Sequence, residues 1–313
     1  MRKYGVWLLL LAFIVCLPFA FAQDRPYTFV AVGDTGCDCS GQQKVSRQLI
    51  AWHRTHPFET VLMLGDNIYG GSMVAGGDRT LFDDRFDEYY SPLITAGVKF
   101  YATLGNHDTE TRRGIDLIAD KKRFNIMGSQ GYYSFYSDAK VDGKPLVHFI
   151  SLNSVNLIKK DASDRAQIEW LSKTLIENGA IWKVVYLHHP LYAPDGEGHE
   201  PEVELRRNLE DVFVAAGVQL VLSGHNHYYA RMKTQRGITH FISGGGGRSL
   251  KTPIVNQYTV RAAEIYHFVS FEVYPDKMNF TVVPAESKFT DSGVIYPQPP
   301  GGDPVIAASS AKQ

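Results

Sequence analysis

Cysteine is scarce in this 313-residue chain, which holds only Cys16, Cys37 and Cys39. Cys16 lies within an apolar N-terminal stretch, so two cysteines remain if that stretch is removed. Two are too few for the disulfide framework that stabilises many small exported domains. The C-x-C spacing of Cys37 and Cys39 makes a bond between them strained. The sequence therefore leaves three states open for this pair: free thiols, a labile bond, or a further site for a soft metal.

An excess of either charge is also lacking. The chain has 32 basic and 33 acidic residues, a formal net charge of −1, and no run of lysine or arginine. Binding to nucleic acid or to an anionic membrane by bulk charge is therefore unsupported, and we expect no nucleic-acid partner. With 44% hydrophobic residues the chain can build one large core. We predict a single domain over residues 23–295 and a flexible tail, rich in Pro, Gly, Ser and Ala, over residues 296–313.

Long apolar runs are absent except at the N-terminus, where one extends from Val6 to Phe21 after two basic residues. The run ends in the segment Ala20 to Ala22, which matches the small-x-small cleavage site of a signal peptide. We predict that residues 1–22 are a signal peptide and that the protein is exported, to a periplasm or outside the cell. A retained transmembrane anchor is the alternative, which Pro18 and the cleavage site disfavour.

The most informative stretch is Val61 to Tyr69, V-L-M-L-G-D-N-I-Y. Its four leading apolar residues predict a strand that is buried on both faces, as in a parallel sheet. Gly65 permits a sharp turn, so Asp66, Asn67 and Tyr69 follow at the carboxyl end of the strand, where open α/β sheets place ligand sites. The alternative is an Asp-Asn turn that merely ends a strand.

Four further polar clusters follow apolar runs that predict strands. They are Gly33 to Gly36, Gly105 to Asp108, His188 to Pro190, and Gly224 to His227. Helical spacing between the strands, as over Gln42 to Arg54, predicts strand-helix-strand crossovers. Because parallel strands end at the same edge of a sheet, the sequence predicts that these clusters converge.

The remaining pattern predicts elements with less direct bearing on function. A helix over Thr80 to Tyr90 is predicted to end at Ser91-Pro92, because proline disfavours helix in the residue before it. Three later strands alternate in hydrophobicity and are predicted to be half exposed: Ile238 to Ile242, Ile265 to Tyr274, and Met278 to Val283.

Six side chains in the polar clusters form a coherent set of metal ligands. They are Asp34, Asp66, Asn106, His188, His225 and His227. Two carboxylates, one amide oxygen and three imidazoles suit a pair of divalent or trivalent first-row cations. Two ions roughly 3.5 to 4 Å apart, bridged by a shared carboxylate, can hold a hydroxide and clamp a phosphoryl oxygen. The pattern therefore predicts hydrolysis of a phosphate ester.

The histidines differ in how well their spacing supports a ligand role. His225 and His227 share a face of an extended segment and can point into one cavity, although a surface loop is the alternative. The adjacent His188 and His189 would point to opposite faces of a strand, so we predict that only one is a ligand. The other histidines outside the motifs are predicted to be ordinary surface or core residues: His53, His56, His148, His240 and His267.

These motifs resemble those of the calcineurin-like metallophosphoesterase superfamily and, within it, the small, tartrate-resistant type of purple acid phosphatase. They occur in the family's order from Asp34 to His227, with a similar pattern on to Gly247. The resemblance implies an α/β fold, a four-layer αββα sandwich of two mixed β-sheets flanked by helices. Most members have a histidine two residues after the first aspartate, where this chain has Gly36. The purple acid phosphatases make the same replacement and supply a tyrosine, here Tyr69; packing of its ring under the glycine-rich loop is the alternative.

The resemblance also implies a role for each site residue. The implied ligands of a ferric ion are Asp34, Asp66, Tyr69 and His227. The implied ligands of a divalent partner (Fe, Zn or Mn) are Asp66, Asn106, His188 and His225. The family's H-x-P pattern selects His188 over His189. His107 and His199 would bind phosphate oxygens and protonate the leaving group, although His199 lies in a loop of variable length and a solvated loop residue is the alternative.

We therefore predict an exported acid phosphatase that hydrolyses small phosphomonoesters by attack of a metal-bound hydroxide. A phosphodiesterase on the same scaffold is one alternative, because monoester and diester hydrolysis use the same metals. A non-catalytic phosphate- or metal-binding protein is another, which His107 disfavours because binding alone needs no proton donor. We expect no stable membrane anchor, and the sequence gives no basis for an oligomeric state or a physiological substrate.

Overall fold

The structure is a computed structural model that describes residues 25–70, 79–109, 113–120, 123–159, 162–176, 179–194, 200–297 and 307–308. The predicted signal peptide at residues 1–22 lies outside this part of the chain. So do residues 71–78, which hold most of the glycine-rich loop, and the loop with His199.

The described strands, in chain order, are β1 (Tyr27–Val32), β2 (Thr60–Met63), β3 (Lys99–Ala102), β4 (Tyr133–Tyr136), β5 (Lys140–Val141), β6 (Lys144–Pro145), β7 (Val147–Ser151), β8 (Trp182–Leu187), β9 (Leu220–Ser223), β10 (Tyr229–Met232), β11 (Thr239–Ser243), β12 (Thr259–Ala263), β13 (His267–Val273), β14 (Met278–Pro284), β15 (Ser292–Ile295) and β16 (Ala307–Ala308). The described helices are α1 (Ser40–Thr55), α2 (Arg79–Phe82), α3 (Glu88–Thr95), α4 (Asn106–Thr109), α5 (Arg113–Ala119), α6 (Ser154–Lys159), α7 (Ala162–Ile176) and α8 (Glu200–Ala216), with a π-helical turn at Asp83–Asp87 between α2 and α3.

Two seven-stranded mixed sheets form the centre of the fold. The first has the order β16-β15-β14-β13-β1-β2-β3, and β1, β2 and β3 are parallel. The second has the order β12-β10-β11-β9-β8-β7-β4, and β7, β8, β9 and β11 are parallel. Each sheet therefore brings the carboxyl ends of several strands to one edge.

Aromatic side chains fill the space between the sheets. Phe29 of β1 stacks on Phe271 of β13 at 4.7 Å between ring centroids and meets Phe149 of the second sheet edge-on at 5.1 Å. Phe241 of the second sheet contacts Phe271 edge-on at 5.7 Å. Offset and edge-on pairs of this kind stabilise a core beyond the area that they bury.

Helices cover the outer faces of both sheets. Val45 and Leu49 of α1 belong to the core of the first sheet, and α1 contacts α3, β13 and β14. A second core joins strands β7 to β9 to α7 and α8 through Leu171, Leu205 and Phe213. The order of layers is thus helix, sheet, sheet, helix, which confirms the predicted four-layer αββα sandwich.

Two predictions about exposure and length are wrong. β11 and most of β13 are buried on both faces, because each lies inside its sheet between a helical layer and the other sheet. Only β14 alternates as expected. The helical segment predicted to end at Ser91-Pro92 continues through Pro92 to Thr95. Burial of Tyr89, Tyr90 and Leu93 outweighs the hydrogen bond that proline cannot make.

Two residues of the predicted tail pair with the first sheet. Ala307–Ala308 pair with Gly293 and Val294 of β15 as a short edge strand. No helix in the described ranges is long and apolar enough to cross a membrane.

Candidate metal centre

The predicted ligands lie just beyond the ends of the parallel strands, in turns or, for Asn106, at the start of α4. Asp34, Asp66 and His225 have φ angles of 60°, 49° and 68°. The left-handed region costs a residue other than glycine roughly 1–2 kcal/mol, so three such residues in one place are a strained arrangement. Strain of this kind persists where the surrounding structure holds a functional geometry.

Glycines allow these turns to approach one another. Gly65 itself has a φ of 87°, and a Cβ there would lie 2.5 Å from His188 Nδ1. A Cβ at Gly105 would lie 2.2 Å from Asp66 Oδ1, and one at Gly224 would lie 2.7 Å from Asp34 Oδ2. The glycine of each motif therefore makes room for a carboxylate or imidazole contributed by another strand.

Three predicted ligands form a first group around Asp34. The Tyr69 hydroxyl donates to Asp34 Oδ1 at 3.0 Å and lies 3.2 Å from His227 Nε2. His227 Nε2 is 3.4 Å from the same Asp34 oxygen. His227 Nδ1 donates to the Ser249 carbonyl at 2.9 Å, which directs Nε2 toward the group.

Three others form a second group around His188. His188 Nε2 lies 3.0 Å from Asn106 Oδ1 and 3.3 Å from His225 Nδ1. His188 Nδ1 donates to the Leu64 carbonyl at 2.9 Å, so Nε2 points into the site. The backbone N–H of His225 donates to Asp34 Oδ2 at 2.9 Å and so ties this group to the first.

Asp66 lies between the two groups. Its Oδ1 is 3.4 Å from His188 Nε2, and Asp34, Asp66 and His188 each offer a ligand atom within 4.8 Å of the others. The backbone N–H of His107 donates to Asp66 Oδ1 at 2.9 Å, and His107 Nε2 is 4.0 Å from Oδ2. The His107 side chain is 39% exposed, which leaves its ring accessible at the edge of the buried cluster.

The electrostatics of the cluster follow from burial and close charges. Burial, with the Asp34 charge, raises the pKa of Asp66. Burial and both carboxylates raise the pKa of Tyr69, so its phenol stays protonated unless a strong cation is present. Burial and the charge of His188 lower the pKa of His225 to about 3. A bound cation would displace the protons that these groups hold.

The donor set is of a kind that binds metal ions. Asp34 and Asp66 are 0% and 1% exposed, and within the described ranges their only cationic side-chain partners are histidines. Buried carboxylates need such charge compensation, which cations supply. Carboxylate, phenolate and amide oxygens with imidazole nitrogens suit first-row ions, and an anionic oxygen such as phenolate favours a trivalent one.

The rationale for separating His188 from His189 does not hold. β8 ends at Leu187, so strand alternation no longer governs the two residues. The His189 ring lies 4.9 Å from that of His188 and 4.4 Å from that of His225, and the three offer nitrogens within 4.8 Å of one another. His189 Nδ1 is 2.9 Å from Ser154 Oγ, which anchors its ring beside the second group.

Asp108 positions the backbone of two ligand-bearing segments. It lies in the Gly-Asn-His-Asp motif, but the sequence predicted no role for it. Its buried carboxylate accepts the backbone N–H groups of Asn67 at 3.0 Å, Ile68 at 3.2 Å and Gly105 at 2.8 Å. Burial and the Asp66 charge raise its pKa to about 7. Asp108 thus joins the turn that carries Asp66 to the turn that carries Asn106. Its signal was its place in the Gly-Asn-His-Asp cluster.

Asp108→Ala is expected to lower the free energy of unfolding by roughly 3 kcal/mol or more, because each buried donor left unpaired costs about 1–3 kcal/mol. Urea denaturation followed by circular dichroism measures this. Asp138→Ala, which removes an 83% exposed carboxylate, is the control and should change stability little. Equal stability of the two variants would contradict the positioning role.

The histidines predicted to be ordinary lie outside the cluster. His148, His240 and His267 are buried within the sheets, whereas His53 and His56 lie at the end of α1. His267 Nδ1 donates to the Ile265 carbonyl at 3.0 Å, and burial lowers the pKa of His267 to about 4. Burial, with the charge of Arg206, lowers the pKa of His240 to about 3.

A pH dependence of stability follows from His267. An unfolded histidine titrates near 6.5, so the unfolded state takes up a proton first as the pH falls, and stability is lost between about pH 6.5 and 4. We expect His267→Gln to lose roughly 2 kcal/mol less than the wild type between pH 7 and 4.5. Urea denaturation at both pH values measures this difference, and parallel losses in the two proteins would contradict it.

Cys37 and Cys39 are joined by a disulfide. Of the three states that the sequence left open for this pair, the structure shows a bond, and no soft-metal site forms there. The bond lies in the loop between β1 and α1, close in sequence to Asp34.

Comparison with known proteins places the chain in a family. The model of the calcineurin-like phosphoesterases matches residues 27–229, which span every predicted ligand. The chain belongs to this family, which confirms the resemblance of its motifs to the calcineurin-like superfamily.

Within the family the chain is similar to purple acid phosphatases. Tartrate-resistant acid phosphatase type 5 of Oryctolagus cuniculus is 23% identical over 319 residues, covering 90% of this chain and 95% of that protein. Purple acid phosphatase 3 of Arabidopsis thaliana is 26% identical over 263 residues, covering 78% and 69%. The solved structure of purple acid phosphatase PPD1 from Lupinus luteus has a TM-score of 0.66 at 18% identity, covering 86% of this chain and 53% of that one, and shares the fold.

Proposed function

We propose that this protein is an exported acid phosphatase that hydrolyses small phosphomonoesters with a dinuclear metal centre. The observation that carries the proposal is the division of the predicted ligands into two groups joined by Asp66. One group is Asp34, Tyr69 and His227; the other is Asn106, His188 and His225. A site for one ion would need a single group, whereas two adjacent groups with a shared carboxylate suit two ions.

The ligands of each ion follow from these groups. Asp34, Asp66, Tyr69 and His227 would hold a ferric ion, and Asp66, Asn106, His188 and His225 would hold a divalent ion of Fe, Zn or Mn. When bound, the ions would polarise a phosphoryl oxygen, neutralise charge that develops in hydrolysis and activate water.

The side chains around the ligands orient them and move protons. Carbonyl oxygens of Leu64 and Ser249 accept from Nδ1 of His188 and His227, so that Nε2 of each ring faces the ligand group. His107 is held at the rim by its backbone bond to Asp66 and lies 5.0 Å from the Tyr69 ring. From there its ring can bind a phosphate oxygen and donate a proton to the leaving alkoxide. We assign His199 the same kind of role.

Turnover of a chromogenic phosphate monoester by the purified protein, measured with its metal content, tests the proposal. We expect hydrolysis that is greatest in acid and that disappears when a chelator removes the metal. Hydrolysis of bis(4-nitrophenyl) phosphate in preference to 4-nitrophenyl phosphate would instead identify a phosphodiesterase. Metal or phosphate binding without turnover of either ester would identify a binding protein.

A further inference from the structure

The loop after β11 brings two positive charges to the metal centre. Four glycines, Gly244 to Gly247, precede Arg248. A Cβ at Gly244 would lie 2.2 Å from the Asn226 carbonyl oxygen, and one at Gly246 would lie 2.2 Å from that of Gly33. The backbone N–H of Gly246 donates to the Gly33 carbonyl at 3.0 Å. The glycine run therefore packs against the turn that carries Asp34, and it delivers the following residues to the edge of the site.

Arg248 is fixed at both its backbone and its side chain. Its backbone N–H donates to the Asp34 carbonyl at 3.1 Å, and its guanidinium carbon lies 4.9 Å from the centre of the Tyr69 ring. Stacking of a guanidinium on an aromatic face holds the side chain while leaving its N–H groups available to an anion. The residue is exposed, so an incoming substrate can reach it.

The backbone of Lys251 is also tied to the first ligand group. Its backbone N–H donates to the His227 carbonyl at 3.0 Å, and its charge opposes protonation of both His225 and His227. We call Arg248 and Lys251 the cationic rim. Neither forms an ion pair with a carboxylate in the part of the chain that the structure describes.

We propose that the cationic rim binds a second anionic group on the alcohol portion of the substrate, so that the enzyme prefers phosphomonoesters bearing a carboxylate or a further phosphate. The inference rests on the proposed function, since the ester phosphate itself occupies the metal centre. Two exposed cations that have no carboxylate partner among the described residues, anchored by the backbone to Asp34 and His227, form a binding position beside that phosphate. Guanidinium groups bind carboxylates and phosphates through paired hydrogen bonds.

The test compares two esters that differ in one charge, 3-phosphooxypropanoate and propyl phosphate. For the wild type we expect the ratio of their kcat/KM values to favour the carboxylate ester by at least about tenfold, the discrimination that one charged hydrogen bond gives. Arg248→Gln with Lys251→Gln should reduce this ratio about tenfold. Lys277→Gln is the matched control, because Lys277 also stacks on a tyrosine, at 5.2 Å from the Tyr274 ring. It lies by the end of β13 that pairs with the start of β1, away from the site, and should keep the wild-type ratio.

A binding measurement separates failure of this inference from failure of the proposed function. Calorimetry with 3-phosphonopropionate and propylphosphonate, which cannot be hydrolysed as esters, should give the same preference and the same loss in the double variant. If the wild type hydrolyses neither ester, the proposed function is wrong, and the phosphonate affinities still decide the inference. Equal affinity of the wild type for the two phosphonates, or an unchanged preference in the double variant, overturns it.

Discussion

Replacing Asp66 with alanine is expected to remove metal from both positions and to abolish nearly all phosphatase activity. Asp66 is the carboxylate between the two ligand groups, 3.4 Å from His188 Nε2 and within 4.8 Å of an Asp34 ligand atom. Loss of a side chain that supports a metal ligand by a hydrogen bond lowers metal affinity or activity by roughly 10- to 100-fold. Loss of a ligand shared by both ions should lower metal affinity and activity by more than this. Asn106→Ala, by contrast, should empty mainly the divalent position.

Metal content per chain and kcat/KM, measured on the same preparations, check this expectation. Asp66→Asn is a second variant. Asparagine tolerates the positive φ of this position and keeps the shape of the aspartate side chain while removing its charge. Asp138→Ala removes an exposed carboxylate and serves as the control. An Asp66→Ala protein that folds and still holds two ions would show that this carboxylate is not shared.

Tyr69→Phe is expected to give a folded protein that has lost visible absorption and binds iron less tightly. A phenolate bound to ferric iron produces a charge-transfer band in the visible range, and phenylalanine keeps the ring while deleting the oxygen. The structure places that oxygen 3.0 Å from Asp34 Oδ1 and 3.2 Å from His227 Nε2. It therefore belongs to the first ligand group rather than to a backbone contact, which weakens the alternative of simple ring packing.

Tyr89→Phe is a matched control for this change. Its hydroxyl donates to Asp38 Oδ1 at 2.7 Å, so it also loses a tyrosine-aspartate hydrogen bond, but outside the ligand groups. We expect it to keep the band and the iron. Visible spectra and iron analysis of both variants decide the matter, and a Tyr69→Phe protein that keeps its colour would exclude Tyr69 as a ligand.

Most predicted ligands were accessible from the sequence because they lie just after short apolar runs, whereas Tyr69 was predicted as a ligand from the family resemblance. Val61 to Leu64 and the runs before Asp34 and Asn106 could be recognised as buried parallel strands, and parallel strands end at a common edge. The convergence of Asp34, Asp66 and Asn106 follows from that rule. The same rule applies to the second sheet, where His188 and His225 follow the carboxyl ends of the parallel strands β8 and β9.

Other features depend on contacts between segments that are distant in sequence. The role of Asp108 requires the turns at Asn67 and Gly105 to meet, which its place in the Gly-Asn-His-Asp cluster does not by itself indicate. Arg248 reaches Tyr69 only because the glycine run packs against the Asp34 turn. His189 joins the cluster because β8 stops one residue before His188. Tertiary packing, rather than local pattern, decides each of these positions.

The most direct test of a dinuclear centre is the metal content of the native protein, measured together with its visible spectrum. Two ions per chain, one of them iron, with a visible absorption band that scales with iron content are the result that we predict. Occupancy that saturates at one ion per chain would contradict the two ligand groups. A colourless protein with both positions filled and iron present would contradict the assignment of Tyr69 and the ferric ion.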